Sequence, residues 1–433
     1  MKVHPAITML LTWAIALAVF FVLPFQLETR RFTLYGFVVL GAFIAVFCLG
    51  ALVASPPLKN RTVPFTLALD LTLVDRILLG AAVIACVAQA YDILNGNVLD
   101  LESAYLDRND RSAGVLTGAE TGGSLAFQIA FLFYPAGFVA IAREIMLREK
   151  LDFVRLGGVG LMPVVLAAIA MGGRGPILYA LILVVICASA RKTIFPHIAT
   201  RRKSDEGIRK LAINAGFVIV ALIAMNYFVQ VFITRADVVG GVEAMSDVAA
   251  LRWGVSFDGP GSGFLRSTVG AGNSYLLYVF IWYGVQGIVM SNAIFTEYAA
   301  GPTFGIYGLD LGSAIARRID PGFVAEKFGA LLDINTYGFL PSAFGSLYVD
   351  FWLLAIIPTA IWGYFTGLVY RNAKQSGDAR WYLAGPFVTL GIVFSLINTP
   401  LGFGNGLVTH LWLLLVVFAA RPIRIAERRL QPA

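Results

Sequence analysis

The stretch YLLYVFIWYGVQGIVMSNAIF, Tyr275–Phe295, is a predominantly apolar, aromatic run, and whether it crosses a membrane or lies along one decides how this chain is organised. Its length meets the roughly 20 residues that a crossing requires. Polar side chains argue the other way: Gln286 and Asn292 interrupt the run and Asn273 precedes it. The run sits inside a long segment, Thr234 to about Ser342, that carries Arg235, Arg252, Arg266, Arg317 and Arg318, nine Asp/Glu residues and many glycines. Unmistakable apolar runs flank this segment on both sides, and it reads as the working face of the molecule.

Composition sets the class. With 58% hydrophobic and 14% charged residues and a mean hydropathy of +0.78, a chain of 433 residues has too little polar surface to cover a globule. It reads as an all-α polytopic membrane protein. A formal charge of +7 would suggest nucleic acid in a soluble chain, but the basic residues cluster in short loops between apolar runs, so nucleic acid is not expected as a partner. Cys48, Cys86 and Cys187 fall inside apolar runs without metal-ligand spacing and read as buried thiols. The first run, Ile7–Phe25, has no small-x-small cleavage pattern behind it and reads as a retained span.

Ten runs reach spanning length: about Ala6–Phe25, Thr33–Ala54, Ile77–Leu94, Ser124–Ala142, Phe153–Met171, Gly175–Ala190, Leu211–Ile233, Leu347–Tyr370, Leu383–Leu401 and Leu407–Ala420. Lys and Arg concentrate in loops of one parity: Lys59/Arg61, Arg143/Arg148/Lys150, Arg191–Lys210, Arg371/Lys374/Arg380 and Arg421–Arg429. Those loops and both termini are expected inside. The outer side then receives Gln26–Phe32, Asn95–Gly123, Gly172–Arg174, the long segment and Gly402–Gly406. Counting Tyr275–Phe295 as a crossing would put Arg371 and the basic C-terminus outside, so an interfacial or re-entrant helix is expected there. No internal repeat appears. The expectation is one membrane domain, 1–433, with 234–342 as an external loop and lid between spans seven and eight.

Several residues suit chemistry at such a face. Arg174, in Gly172–Gly173–Arg174–Gly175–Pro176, emerges from a tight hairpin. An arginine at membrane depth costs about 2.5–3.5 kcal/mol, so it is either an interfacial, snorkelling arginine or an anion site. Arg252 and Arg266 flank Phe257–Gly263, whose backbone amides also suit an anion, and guanidinium groups match phosphate bidentately; solvated loop arginines are the alternative. Glu297, Asp310, Asp333, Asp350 and His410 are the candidates for proton transfer. Asp350 opens the eighth span, where an ionisable group is a functional-site hypothesis by default; a salt bridge to an outer arginine is the structural alternative. His410 lies about one turn into the last span, where imidazole titrates near neutrality or serves as a satisfied polar residue. No Walker loop, zincin helix, nucleophile elbow or acidic pair for a nucleotide-sugar and its metal is present.

Asn335–Thr336–Tyr337–Gly338–Phe339, followed by Phe344–Gly345–Ser346–Leu347–Tyr348–Val349–Asp350–Phe351 and a helix spaced by Gly363 and Gly367, resembles Wzy-type oligosaccharide repeat-unit polymerases. That group shows an Asn-x-Tyr-Thr element before a Tyr-x-Asp-Phe-Gly element that opens a late span. The chain departs at Gly338, where threonine is common, and at Trp352, where glycine is common. About 35 residues carry the specific likeness; the overall plan is similar as well. The resemblance implies an inverting, metal-independent glycosyltransferase without a cofactor, multi-pass in the bacterial inner membrane. Its donor and acceptor would be polyprenyl (undecaprenyl) diphosphate-linked oligosaccharides, and membrane lipid and a chain-length regulator protein would be further partners. Arg174, Arg252 and Arg266 would then neutralise the diphosphate, Asp350 or His410 would take the acceptor proton, and Tyr337 and Tyr348 would stack on sugars, although interfacial anchoring is the commoner task of such tyrosines. Three other readings stand beside it: a ligase built from similar parts, a lipid-linked oligosaccharide transporter or flippase, and a scaffold.

Overall fold

The computed structural model describes residues 3–22, 26–27, 32–56, 67–96, 124–171, 173–194, 225–256, 262–376 and 378–424, with a few positions between 97 and 123. Most of the expected Arg191–Lys210 loop and Leu211–Ile233 span, the Phe257–Gly261 connection, and the side chains of Arg252 and Asp310 lie outside the described residues.

The chain is a polytopic helical membrane protein. Its first half comprises α1 (Pro5–Phe21), α2 (Leu34–Ala54), α3 (Thr72–Asn95), α4 (Leu125–Leu147), α5 (Phe153–Ala170) and α6 (Gly175–Ile194). Helix α7 covers residues 225–238, and α8 (Val242–Trp253) and α9 (Ser262–Val269) follow it. Then come α10 (Ala271–Glu297), α11 (Asp310–Ile319), α12 (Pro321–Asp333), α13 (Ser342–Phe351), α14 (Ile356–Gln375), α15 (Ala379–Leu396) and α16 (Gly406–Ala419). Among the described residues, seven helices are long and apolar enough to cross a membrane, and three shorter apolar helices accompany them.

Three details refine the expectations. The stretch Tyr275–Phe295 belongs to one continuous 27-residue helix, α10, which by length and composition qualifies as a crossing. The run expected at Leu347–Tyr370 is two helices, α13 and α14, broken at Trp352, where the backbone turns to φ 52° and ψ −138°. The fold is also not purely helical: Gln26 and Leu27 pair with Ser256 and Val255, and Leu67–Asp70 pairs with Arg421–Arg424. These short ladders give backbone groups between helices their hydrogen bonds, and nothing local in the sequence announces partners so far apart.

Contacts fix which helix ends share a face. The His4 ring meets the Ser55 carbonyl at 2.9 Å and the Tyr370 ring at 5.0 Å, so the starts of α1 and the ends of α2 and α14 lie together. Arg143 and Arg148, ending α4, pair with Asp75 in the first turn of α3, and Arg191 near the end of α6 donates to the carbonyls of Ile145, Arg148 and Glu149. This face carries the basic loops. Arg174 and the 397–405 turn sit at the other ends of the same helices.

The buried apolar residues form two clusters. One gathers α1, α2, α10, α12 and α13; the other gathers α3 to α6, α15 and α16. Trp13 of α1 reaches from the first group to Ser395 at the end of α15, its indole N–H donating at 2.9 Å. Within the first cluster α2 and α14 run parallel with their backbones in contact. A Cβ at Gly363 would stand 2.1 Å from the Phe47 carbonyl oxygen and one at Gly367 2.3 Å from that of Ala51. Small residues four apart permit this approach, which in lipid replaces hydrophobic association as the source of helix packing.

Candidate functional site

Arg174 starts α6, its carbonyl accepting from Leu178 at 3.0 Å, and its side chain turns into an aromatic cradle. The guanidinium lies 3.7 Å over the Phe232 ring of α7, and Nη2 donates to the Tyr283 hydroxyl of α10 at 3.0 Å. Phe232 and Tyr283 meet edge-on with centroids 5.7 Å apart. Aromatic faces orient a guanidinium while leaving its positive charge in place. Tyr227, one helical stretch earlier on α7, has its hydroxyl 3.4 Å and 3.5 Å from the carbonyls of Ala168 and Gly173. Both Arg174 and Arg235 lie close enough to act electrostatically on that phenol. Arg174, at the start of α6, and Arg235, on α7, are thus both in the electrostatic neighbourhood of Tyr227.

The 397–405 turn ties this spot to the motif residues. Its Phe403 ring lies 3.8 Å from where a Cβ on Gly175 would stand and stacks on Phe394 at 4.4 Å. Gly404 and Asn405 adopt positive φ, which lets the Gly404 carbonyl accept from the Tyr134 hydroxyl and the Asn405 amide donate to the Phe131 carbonyl. At the other end of the turn, Asn398 accepts from Ser346 of α13 at 3.0 Å, and Thr399 donates to the Gly308 carbonyl at 3.1 Å.

Gly308 leads to Asp350. The carboxylate is 1% exposed and accepts from the Thr303 hydroxyl at 2.5 Å, from the backbone N–H of Tyr307 at 3.0 Å and from that of Gly308 at 2.9 Å, with Gly305 adding a further backbone bond. The backbone joins in: Thr303 N–H donates to the Val349 carbonyl and Phe304 N–H to that of Asp350. Asp350 thus fastens the 303–308 loop onto α13. A carboxylate enclosed and saturated in this way is poorly placed to take a proton from a substrate, and it is no salt-bridge partner of an outer arginine among the described residues.

The remaining expected residues are spread around this centre. Tyr348 is buried, edge-on to Phe295 at 5.1 Å and hydrogen-bonded to Tyr35. Tyr337 follows the turn that ends α12, where Asn335 takes φ 53° and the N–H groups of Thr336 and Tyr337 both return to the Leu331 carbonyl. Phe328 links it to Tyr307, with centroids 6.0 Å and 5.6 Å apart respectively. Burial pushes the phenols of Tyr298, Tyr307 and Tyr337 upward, Tyr298 to about 12, and the Tyr298 hydroxyl donates to the Gly301 carbonyl at 3.0 Å. His410 Nδ1 donates to the Gly406 carbonyl at 2.8 Å, so in the neutral ring Nε2 carries the lone pair. Arg266 is exposed on α9, and Glu297 and Asp333 are exposed as well. No hydrogen bond joins Arg266 or His410 to Arg174 among the described residues.

Sequence alone gives Arg235 and Tyr283 no individual role, beyond their place in the long segment and its aromatic run, and does not single out Tyr227, Phe232, Asn398 or Thr399. Arg235 carried a signal, as a charge closing an apolar run; the hydroxyls and rings carried none distinct from ordinary interfacial residues. A cavity of about 160 Å³ lies away from this site, on the basic face. Among the described residues no group of three or more His, Cys, Asp or Glu side chains is disposed to hold a metal. Compared with protein-family models, characterised proteins and solved structures, the chain matches none.

Proposed function

We propose that this protein is a membrane glycosyltransferase that joins polyprenyl diphosphate-linked glycans, with Arg174 and Arg235 receiving the diphosphate. The observation that carries the reading is Arg174 held over the Phe232 ring and against the Tyr283 hydroxyl, with Arg235 in the electrostatic neighbourhood of Tyr227 beside it. A diphosphate leaving group gains negative charge as its bond to the sugar breaks, and fixed guanidinium groups stabilise that charge without reorganising. In the reaction an acceptor hydroxyl attacks the anomeric carbon, the bond from that carbon to the diphosphate oxygen breaks, and the configuration inverts. The hydroxyl proton passes to Nε2 of His410, and the diphosphate departs on its lipid. Asp350 positions the 303–308 loop beside this centre.

Two features support the membrane arrangement that this reaction needs. Tyr283 of α10 touches Arg174, and Asn292, nine residues on, accepts from the N–H and hydroxyl of Thr33, the N-cap of α2. Both partners mark helix ends remote from the basic face, so α10 lies across the bundle and the crossings number about ten. With the basic face inside a bacterial cytoplasmic membrane, both termini are inside and the long segment is external, where lipid-linked glycan is presented. The motif adds support at Trp352, the position where the resembling polymerases commonly have glycine: its backbone is in a region that glycine adopts easily. Gly338, a departure from that pattern, has φ 82° and suits the tight turn.

The test is to incubate purified protein in nanodiscs with a polyprenyl diphosphate-linked repeat unit, without nucleotide sugar or metal, and to resolve the products by length. A ladder spaced by one repeat is expected, and Arg174→Ala and Arg235→Ala should abolish it at normal protein levels. A single transfer to an added lipid acceptor would convert the reading to a ligase. No transfer at all would overturn it.

A further inference from the structure

The cavity on the basic face is lined by a charged floor and an apolar wall. Asp75, Arg76, Arg143, Glu144 and Arg155 form the floor; Leu78, Leu79, Ala140 and Val159 rise above it. Most of the floor is held as an ion-pair network. Asp75 meets Arg143, Arg148 at 3.3 Å and Arg155 at 2.6 Å, while Glu144 meets Arg143 at 2.7 Å and accepts from the Asp152 N–H at 3.0 Å. A closed network of this kind would serve simply to seal the helix ends.

Three observations show that it is not closed. Arg143 is 4% exposed, and its Nε–H has no hydrogen-bond partner although the two other guanidinium nitrogens are paired. A buried donor left unmade costs about 1–3 kcal/mol, more for a charged group. Arg76 is exposed at the rim and makes no hydrogen bond or ion pair among the described residues. In and around the cavity four guanidinium groups, Arg76, Arg143, Arg148 and Arg155, face three carboxylates, Asp75, Glu144 and Asp152, which leaves one positive charge of this cluster uncompensated.

The backbone opens the space. Residues Leu156–Leu161 of α5 form a π-helical turn, an uncommon conformation concentrated at functional sites. Gly160 packs so closely that a Cβ there would stand 2.8 Å from the Ile141 side chain, whereas Cβ atoms at Gly157 and Gly158 would meet nothing within 4 Å. Leu79 is 53% exposed on the outer surface of α3, within the apolar belt. The cavity is therefore a groove between α3, α4 and α5, apolar toward the middle of the membrane and basic toward its edge. That is the polarity of a phospholipid.

We infer that this groove holds the phosphodiester headgroup of an anionic phospholipid from the leaflet on the basic face, with an acyl chain along Leu79 and Val159. One negative phosphodiester matches the one uncompensated positive charge, and it supplies the acceptor that Arg143 Nε lacks. Basic pockets between membrane helices bind such headgroups. The inference stands whether or not the chain transfers glycans, because its readout is lipid.

The experiment equilibrates the full chain in nanodiscs containing equal amounts of phosphatidylglycerol and phosphatidylcholine, then counts retained lipids by native mass spectrometry. One phosphatidylglycerol per chain should be retained, enriched about fivefold over phosphatidylcholine per contributing arginine, the preference one arginine confers at a membrane surface. Arg76→Ala should lower the enrichment while leaving the melting temperature of the delipidated protein unchanged, since Arg76 holds nothing else in place. Arg143→Lys, which keeps the charge but removes Nε–H, should lower it too. Equal retention of the two lipids, or full enrichment in Arg76→Ala, would overturn the inference. So would protection by inorganic phosphate alone with no lipid enrichment, which would make the groove a site for the free anion.

Discussion

Replacing Asp350 with asparagine separates two roles that the sequence leaves entangled, because the two side chains have the same shape and differ in charge and in one acceptor. In the native arrangement both carboxylate oxygens accept: one from Thr303 and the Tyr307 N–H, the other from the Gly308 N–H. Asparagine keeps one oxygen and points an amide N–H₂ at a backbone N–H. The hydrogen bond to a charged acceptor that disappears is worth about 1.5–3 kcal/mol, and the stranded buried donor costs about 1–3 kcal/mol more. The sum, at least about 2.5 kcal/mol, shifts docking of the 303–308 loop by about sixtyfold or more. No repacking relieves it, since a Cβ at Gly308 would stand only 2.5 Å from the Asp350 oxygen and the space is already full. We therefore expect Asp350→Asn to melt at lower temperature, to be cleaved by protease between Thr303 and Gly308 where the parent resists, and to lose polymer in proportion, with partial recovery on cooling. A variant that melts and resists protease like the parent but makes no polymer would refute the anchoring role and make Asp350 the base.

Other expectations follow from single contacts. Arg174→Lys retains charge but loses the planar fork and its stacking on Phe232, and polymer formation should fall about a hundredfold at normal membrane levels; unchanged yield in the ladder assay would remove Arg174 from the site. Gly363→Leu must push α14 off the Phe47 carbonyl, a clash with backbone that should destabilise by about 1–3 kcal/mol in a thermal melt, and an unshifted melt would contradict the packing. Trp352→Gly should be more stable than Trp352→Ala by about 1 kcal/mol or more, because both lose the ring but only glycine relieves the positive φ, whose strain is about 1–3 kcal/mol; the reverse order would mean that the break after α13 is unstrained. Burial raises the Asp378 carboxyl, but the Arg380 hydrogen bonds outweigh it and hold the group below its ordinary value. Its stabilising contribution is thus complete above about pH 4, the unfolded value, and is lost as pH falls through the lower folded one; an Asp378→Asn variant should show a flatter melt-versus-pH curve in that acid range.

What the sequence made legible follows from which interactions are local. Apolar runs mark the membrane helices because lipid demands them, and the arginines of one parity mark a face because each run is followed by its own loop. His4 against Ser55 and Tyr370, and Arg191 against the end of α4, agree with that parity. The Gly363–Gly367 spacing was visible for the same reason: one helix carries it. The disposition of α10 was not settled by its composition, since a largely apolar helix of 27 residues satisfies the length of a crossing in either case; contacts at Tyr283 and Asn292 with elements far away in the chain bear on it instead. Asp350 shows the same limit more sharply. An acid in an apolar run looks like chemistry, yet the donors that saturate it are backbone groups more than 40 residues upstream, which no spacing rule reaches.

The arginines of the two faces show how one residue type does different work according to what meets it. On the basic face Arg143, Arg148 and Arg155 converge on Asp75 and Glu144, so their charge is largely spent inside the protein, and only a single excess charge is left for a lipid headgroup. At the opposite helix ends Arg174 is steadied by the Phe232 ring and the Tyr283 hydroxyl, contacts that orient it and do not themselves cancel its charge. Neutralising a transferring diphosphate calls for a guanidinium steadied by contacts that do not themselves cancel its charge, and the Phe232 and Tyr283 contacts are of that kind whereas the ion pairs of the basic face are not. If that distinction governs function, exchanging the environments should exchange the behaviour. Tyr283→Glu, which would place a carboxylate against Arg174, should suppress polymer formation as strongly as Arg174→Ala, whereas Tyr283→Phe, which removes only the hydroxyl, should reduce it modestly. Equal activity of the two Tyr283 variants would show that the charge of Arg174 is not what the site uses.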